Sequence, residues 1–351
     1  MVWEYGSDWH WPDPDEASAL EGQDAASQLP KNSQLFSSGR AALLGLLGFI
    51  GVKGRVFLPT YYCGDVADAL QTHGLSCLFY KDNPRQEGTL CVGGLLPSDV
   101  LVTVSYFGAR LHTLPSIPDG VVLIEDHTHD PVGTQAMNSA ADYCFASLRK
   151  VLPLPDGGIL WSPQNKSLPE SIACTTVHHE LAKNRIEAMR LKTAYLRNRS
   201  ASKDRYRALF QATESQFGIE PVGGPYPYTE QLLVRYSLSK AAKIRRQNLD
   251  YLKEALGSCS LSSMVTSLPR DDSTLGLVLE FASKQARETV RLKLIEGSVF
   301  PSVLWPPDTN FDLEARDFSS CMLFIACDYR YQHRDIDRML EILEQALQQL
   351  K

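Results

Sequence analysis

Three short segments of this sequence carry side chains that could do chemistry. In the first of them, Ser38, Gly39 and Arg40 open a predicted helix. Free backbone N–H groups and the helix dipole at such a position attract a phosphate group, and Arg40 would add positive charge. The same tripeptide is also an ordinary helix cap. Taken alone, it therefore does not distinguish an anion site from a cap.

The other two segments follow predicted buried strands. Asp126 ends an apolar run that starts at residue 121, and His129 lies three residues beyond it. A carboxylate in this position serves either as a functional acid or as a cap for the next helix. Lys150 follows the apolar run 143–148. Partial desolvation there would lower the pKa of its amine, as Schiff-base chemistry requires, whereas a lysine in a surface turn would stay protonated.

Together, the three segments meet the needs of one cofactor, pyridoxal 5'-phosphate. This cofactor requires an anion cradle for its phosphate and a lysine to bind its aldehyde. It also requires an acid paired with its pyridine nitrogen, so that the ring works as an electron sink. Ligands of an open parallel sheet bind outside the carboxyl ends of its strands, where all three segments are predicted to lie.

The elements that must position these residues alternate along the first half of the chain. Short apolar or β-branched runs predict strands at 56–58, 75–80, 100–107, 121–124, 143–148 and 159–161. Turns and helical stretches separate them. This alternation predicts an α/β fold whose mostly parallel central sheet is covered by helices on both faces.

The second half of the chain has a different pattern. Long helices are predicted at about 171–217 and 229–256, followed by a strand at 275–281, a helix at 284–296, a strand at 321–327 and a final helix at 334–350. A small α+β domain would contain the later elements. We therefore predict an N-terminal lead-in at 1–30, a large cofactor-binding domain at 31–230 and a small C-terminal domain at 231–351.

Composition restricts the partners of the protein. The chain has 351 residues and a net charge of -6, so a nucleic-acid partner is not expected. No apolar run reaches the roughly 20 residues that span a bilayer, and the N-terminus does not resemble a secretory signal. We therefore expect no membrane association and a cytoplasmic location. The eight cysteines form no Cys-x-x-Cys pair, which predicts reduced thiols and no metal site.

The sequence resembles a known family through motifs that lie between residues 36 and 161. These motifs are Ser38-Gly39-Arg40-Ala41-Ala42-Leu43, Leu58-Pro59-Thr60-Tyr61-Tyr62-Cys63, Phe107-Gly108, Ile124-Glu125-Asp126-His127-Thr128-His129 and Lys150 with Gly157-Gly158. The family is the DegT/DnrJ/EryC1/StrS group of sugar aminotransferases, which use pyridoxal phosphate and have the aspartate-aminotransferase fold, fold type I. The resemblance continues more thinly through the helices after residue 171.

The resemblance implies a role for each matching residue. Lys150 would form the internal aldimine and later move the proton between carbons. Asp126 would pair with the pyridine nitrogen, and His129 would lie near the ring hydroxyl. Four residues would surround the phosphate, namely Ser38, Gly39, Arg40 and Ser147. The resemblance also implies a homodimer in which each active site borrows residues from the partner subunit.

The sequence departs from the family in four places. The small residues between the family's Asp and His are replaced by His127 and Thr128. An aromatic residue usually stacks on the cofactor ring, but that position is Cys63 here, and Tyr62 or Tyr61 would take over the stacking. The family serine five residues before the lysine is Phe145, and Ser147 comes three residues before the lysine. The Asn-x-Arg-Met type segment through which a partner subunit reaches the phosphate is not found. These departures leave the usual nucleotide-sugar substrate open.

Two further features bear on the substrate. Arg330 follows a predicted buried strand, where it would either bind a substrate carboxylate in a bidentate manner or begin a helix at the surface. Aromatic residues of the lead-in would cover the pocket or an interface, or form a simple apolar edge. They are Trp3, Tyr5, Trp9 and Trp11.

These residues lead to a hypothesis about the reaction. A homodimeric aminotransferase would move an amino group from an amino-acid donor to a keto group of a small metabolite or sugar, in secondary-metabolite or polysaccharide biosynthesis. Elimination, decarboxylation or carbon–carbon bond formation on an amino acid would use the same cofactor. A non-catalytic scaffold of the same fold is a further alternative, although such a protein has little reason to keep Lys150 and Asp126.

Overall fold

The structure is a computed structural model of the chain. It describes residues 4–22, 29–86, 88–109, 113–114, 116–217, 221–258, 265–267, 275–306 and 312–351. Trp3, Cys259 and part of the lead-in therefore lie outside the described residues. No helix among the described residues is long and apolar enough to cross a membrane.

A seven-stranded sheet forms the centre of the molecule. Its strands in chain order are β1 (Ser33–Phe36), β2 (Val56–Pro59), β3 (Cys77–Tyr80), β4 (Val100–Val104), β5 (Val122–Asp126), β6 (Tyr143–Ser147) and β7 (Gly158–Trp161). Their order across the sheet is β1-β7-β6-β5-β4-β2-β3. The strands from β2 to β6 pair in parallel, whereas β7 runs antiparallel to both β6 and β1. The predicted α/β fold with a mostly parallel sheet is confirmed.

Helices lie between and after these strands. They are α1 (Pro14–Leu20), α2 (Gly39–Phe49), α3 (Gly64–Thr72), α4 (Thr134–Met137), α5 (Thr176–Asn198), α6 (Lys203–Gln216), α7 (Pro227–Arg235), α8 (Leu238–Gly257), α9 (Lys284–Glu296), α10 (Leu313–Cys321) and α11 (His333–Gln348). The long helix predicted at 171–217 is wrong in extent. It begins at Thr176 and divides at Arg199, whose left-handed backbone (φ 59°) ends α5.

Alternate residues of the strands face two separate cores. Val100 and Val102 of β4 pack with apolar residues of α2 and α3, while Leu101 between them packs in the other core with residues of α7 and α8. This two-residue periodicity places helices on both faces of the sheet. The buried strands therefore carry apolar side chains in both directions, and polar side chains concentrate where the strands end.

A second sheet is formed by residues of the later half of the chain. It contains β8 (Thr266–Ser267), β9 (Gly276–Glu280) and β10 (Met322–Ala326) in the antiparallel order β10-β9-β8. Its core includes apolar residues of α9 and α11. Helix α8 joins two cores. Leu238 packs in the core that contains Leu101 of the large sheet, and Leu252 packs in the core of the small sheet. The domain boundaries at 30 and 230 stay a prediction.

Candidate active site

A cavity of about 330 Å³ lies at the carboxyl ends of β4, β5 and β6. The start of α2, the N-terminal segment and loops that flank β10 complete its walls. Ten of the candidate site residues predicted from the sequence line it: Ser38, Gly39, Arg40, Tyr62, Cys63, Asp126, His129, Ser147, Lys150 and Arg330. The fold thus brings these residues together, while their chemical roles stay predictions.

The start of α2 forms one wall of the cavity. Ser38 is its N-cap, and the Ser38 hydroxyl accepts a hydrogen bond from the Ala41 N–H at 3.1 Å. The other N–H groups of the first turn have no acceptor within the helix. They lie at the positive end of the helix dipole. A Cβ on Gly39 would lie 3.2 Å from the Cβ of Ser147. The helix start therefore touches the end of β6, and both elements are available to one anion.

Gly158 of β7 makes an even closer approach to the same helix start. A Cβ built on Gly158 would lie 2.1 Å from the carbonyl oxygen of Ser38. Gly158→Ala is therefore expected to displace backbone and to lower the free energy of unfolding by about 1 to 3 kcal/mol. Urea unfolding measures this change. Gly48→Ala in α2 is the matched control, because a Cβ there meets open space, and it is expected to stabilise the protein by about 0.5 to 1 kcal/mol.

Asp126 is a buried carboxylate at the end of β5, with 7% of its surface exposed. Its Oδ2 accepts a hydrogen bond from the Tyr62 hydroxyl at 2.7 Å, and its Oδ1 accepts one from the Thr128 N–H at 2.8 Å. Burial raises the pKa of Asp126, although the hydrogen bonds from Thr128 and Tyr62 oppose that shift. The carboxylate is thus fixed in position at the cavity wall, where it can hold a proton or pair with a cation.

His129 lies between two aromatic rings beside this carboxylate. Its ring stacks on Phe107 at 5.6 Å and on Trp305 at 5.4 Å between centroids. Its Nδ1 accepts a hydrogen bond from the Phe107 N–H at 2.8 Å, which places the proton of the neutral ring on Nε2. Burial, assisted by the positive charge of Lys150, lowers the pKa of His129 to about 3. His129 therefore offers the cavity an uncharged N–H donor at neutral pH.

The lowered pKa of His129 predicts a pH dependence of stability. Between the folded value of about 3 and an unfolded value of about 6.5, the unfolded chain binds more protons, so stability falls as the pH drops through this window. His129→Gln removes the titration and should reduce the loss of unfolding free energy between pH 7 and 4.5 by about 2 to 3 kcal/mol. Urea unfolding at both pH values measures it, with exposed His73→Gln as the control. An equal loss in the His129 variant would contradict the prediction.

Lys150 ends a short 3₁₀ turn that directly follows β6. Its side chain is exposed to solvent and lines the cavity. The charge of Arg149 is the largest cause that lowers the pKa of Lys150, and burial adds to it. Glu214 accepts hydrogen bonds from both Arg149 nitrogens at 2.9 and 2.6 Å and lies 3.1 Å from Arg185. Because two arginines share one carboxylate, this group keeps a net positive charge beside the Lys150 amine.

Residues 4–11, which we call the N-terminal strap, cover one side of the cavity. Lys192 donates a hydrogen bond to the Ser7 hydroxyl at 2.6 Å and a second to the Asp8 carbonyl. The indole N–H of Trp9 donates to the Arg149 carbonyl at 2.8 Å, and its ring stacks on Tyr329 at 5.5 Å. Of the alternatives for the aromatic lead-in, covering the pocket therefore fits Trp9.

Arg330 is buried, and its hydrogen-bond donors are engaged. Its Nε and Nη2 donate to the two carboxylate oxygens of Asp328 at 2.9 and 2.7 Å. Its Nη1 and Nη2 also donate to the carbonyls of Asp8 and Ser7 in the strap at 3.3 and 3.2 Å. The alternative of a surface arginine is wrong, because these contacts enclose it. Its binding of a substrate carboxylate stays a prediction.

Comparisons with known proteins place this geometry in a recognised fold. No protein-family model and no curated protein matches the chain. Among solved structures, the aminotransferase TlmJ from Streptoalloteichus hindustanus is similar over the whole of both chains, with 15% identity and a TM-score of 0.61. The chain has the fold of the fold type I aminotransferases.

Two further solved structures have the same fold. PseC from Helicobacter pylori, an aminotransferase involved in the biosynthesis of pseudoaminic acid, has 11% identity and a TM-score of 0.58 over 99% of this chain and 100% of its own. A putative sugar aminotransferase from Streptococcus pneumoniae, in its PMP form, has 13% identity and a TM-score of 0.57 over 98% and 94% of the two chains.

Several residues of this fold type I cavity were not predicted from the sequence. Trp305, Glu214 and Arg185 all line it. In the sequence, the one feature that could have indicated Trp305 is its position beside Pro306. The other two residues lie on helices and belong to no local motif. Of the two candidates for ring stacking, Tyr61 lies outside the cavity lining, because its ring packs against Tyr106 and Phe318.

Proposed function

We propose that this protein is a pyridoxal-phosphate-dependent aminotransferase that moves an amino group from an amino acid to a keto group of a small metabolite or sugar. One observation carries the proposal. Lys150, Asp126 and the start of α2 line a single cavity at the carboxyl ends of parallel strands, in a chain with the fold of fold type I aminotransferases. A scaffold without chemistry would not require all three.

The donor set of the cavity fits this cofactor. The N–H groups at the start of α2 and the Ser147 hydroxyl would hold its phosphate, together with Arg40, which lies 3.5 Å from exposed Asp65. Asp126 would pair with the pyridine nitrogen, and Lys150 would hold the aldehyde carbon. The Cβ that Gly39 lacks would crowd Ser147, so the glycine keeps the two parts of the phosphate cradle in contact.

The residues of the chain divide the chemistry among themselves. Pyridoxal phosphate, when bound, supplies an electron sink for charge that develops on the substrate carbon. The Lys150 amine, whose pKa is lowered by Arg149 and burial, would take up the substrate proton and return it. Asp126 would stabilise positive charge on the ring nitrogen, and His129 would donate a hydrogen bond from Nε2. The strap and Trp305 limit the access of water to these groups.

The titles of the similar structures support a sugar as the acceptor. One similar protein is described as a putative sugar aminotransferase. Another is DesI, whose structure is described as determined in the presence of its TDP-sugar product. We extend this acceptor class to the present chain as part of the proposal, with a place in secondary-metabolite or polysaccharide biosynthesis. We also propose a cytoplasmic homodimer with a twofold interface of about 2,000 Å² or more. A monomeric mass in sedimentation of the cofactor-loaded protein would count against the dimer.

Reconstitution followed by product analysis tests the proposal. The purified protein should turn yellow with pyridoxal phosphate, and L-glutamate should remove the colour while 2-oxoglutarate accumulates. A panel of keto sugars and keto acids should then restore the colour and yield aminated products. Elimination, decarboxylation or carbon–carbon bond formation would yield other products from the amino acid. If the protein does not bind pyridoxal phosphate, the result would support the scaffold alternative.

A further inference from the structure

Five arginines line the cavity, and four of them have a carboxylate within ion-pair distance. Arg149 and Arg185 share Glu214, Arg330 pairs with Asp328, and Arg40 pairs with Asp65. The fifth is Arg245 of α8. Within the part of the chain that the structure describes, no carboxylate lies within ion-pair distance of Arg245, although the charges of Asp130 and Asp328 act on it from farther away.

The Arg245 side chain is almost completely enclosed, with 2% of its surface exposed. Its Nη1 donates a hydrogen bond to the Val151 carbonyl at 3.2 Å, and its Nε has no hydrogen-bond partner. No hydrogen bond of Nη2 exists among the described residues, and the guanidinium lines the cavity. Because an arginine stays protonated in proteins, a buried guanidinium with unfilled donors and no carboxylate in direct contact is costly. An anionic ligand would remove that cost.

The position of Arg245 restricts which anion would bind. Val151, whose carbonyl accepts its hydrogen bond, directly follows Lys150 in the chain. The guanidinium therefore lies beside the backbone that carries Lys150, and both residues line the cavity. A ligand held by both residues would carry its negative charge close to the carbon that bears the amino group. This is the arrangement of a 2-amino acid or a 2-keto acid.

We propose that Arg245 binds the carboxylate of the amino-acid substrate or its keto-acid product through Nη2. The proposal rests on the aminotransferase function proposed above and assigns a specificity-determining residue to it. It distinguishes Arg245 from Arg330, whose donors are occupied by Asp328 and by the strap. Arg330 fixes the strap, while Arg245 selects a carboxylate.

The affinity for succinate, a carboxylate without an amino group, tests the proposal. Isothermal titration of the cofactor-loaded protein should give a dissociation constant that rises about 10- to 100-fold in Arg245→Gln, because one charge-assisted hydrogen bond is lost. The matched control is Arg246→Gln, the next residue of α8, which is exposed and should leave the affinity unchanged. Succinamide, which has no charge, should not distinguish Arg245→Gln from the wild type.

Three outcomes would overturn the assignment. The first is that the wild type and Arg245→Gln bind succinate with equal affinity. If the variant also had a lower melting temperature, Arg245 would have a structural role. The second is loss of pyridoxal phosphate from Arg245→Gln, which would assign the residue to the cofactor. The third is unchanged affinity in Arg245→Met, which removes the charge, keeps an unbranched side chain and replaces the Gln variant if that variant does not fold.

Failure of the aminotransferase proposal would give a different result. If the wild-type protein took up no pyridoxal phosphate, the same titrations on the cofactor-free protein would still compare Arg245 with Arg246. Weaker succinate binding in Arg245→Gln alone would then support a carboxylate site, while the function assigned to the cavity would be rejected. The two proposals are therefore tested separately.

Discussion

Lys150→Ala is expected to lose both the covalent attachment of pyridoxal phosphate and turnover, the latter by about 100- to 10,000-fold. The Lys150 side chain opens into the cavity, and the charge of Arg149 and burial lower the pKa of its amine. Borohydride reduction of the wild-type protein should attach the cofactor permanently to the peptide that contains Lys150. Peptide mass spectrometry and the visible absorbance of the holoprotein measure the effect.

The sharpest challenge to this assignment is a second amine with a lowered pKa, the buried Lys192. Burial lowers the pKa of Lys192 to about 7, which would also allow the uncharged form. Lys192 is, however, engaged by Ser7 and Asp8 of the strap. A reduced, labelled peptide that contains Lys192 instead of Lys150 would overturn the prediction. Lys183→Ala, on the exposed side of α5, is the control and should keep both the label and the activity.

Asp126→Asn is expected to slow the reaction of the loaded protein with an amino donor by about 100- to 1,000-fold. The amide keeps the shape of the side chain, its Oδ1 can still accept from the Thr128 N–H, and its Nδ2 can donate to the Tyr62 hydroxyl, so the cofactor should remain bound. The negative charge that would stabilise a protonated ring nitrogen is lost. Stopped-flow absorbance with L-glutamate measures the half-reaction.

The control for this variant is Asp119→Asn, an exposed aspartate in the turn before β5. It should react with L-glutamate at the wild-type rate. An unchanged rate in Asp126→Asn would show that the ring nitrogen does not depend on this carboxylate. A colourless Asp126→Asn protein would instead assign Asp126 to cofactor binding and contradict the prediction that the two effects are separable.

Much of the central fold could be predicted because its strands are continuous apolar runs. β1 was missed because it is a four-residue strand with a polar start, and its pairing with β7 depends on residues more than a hundred positions away. Helix boundaries were also predicted imperfectly. The division between α5 and α6 depends on one left-handed residue, Arg199, rather than on any change in hydrophobic periodicity.

The candidate site was predictable where its residues follow strands and unpredictable where they lie on helices. Asp126 and Lys150 each come after a buried run, and sequence position alone indicates that they meet. Arg245 and Arg246 look equivalent in the sequence, yet one is buried beside the cavity and the other is exposed. Only the packing of α8 against two cores separates them, and that information is not local.

The N-terminal strap has a practical consequence for anyone who produces this protein. Glu4 at its start is buried and pairs with Lys203 at 2.6 Å, and the next few residues reach the cavity wall. An affinity tag or fusion partner joined ahead of Glu4 would have to leave from this enclosed point and could pull the strap off the cavity. The exposed residue Lys351, beyond the end of α11, does not line the cavity and offers another place for a tag.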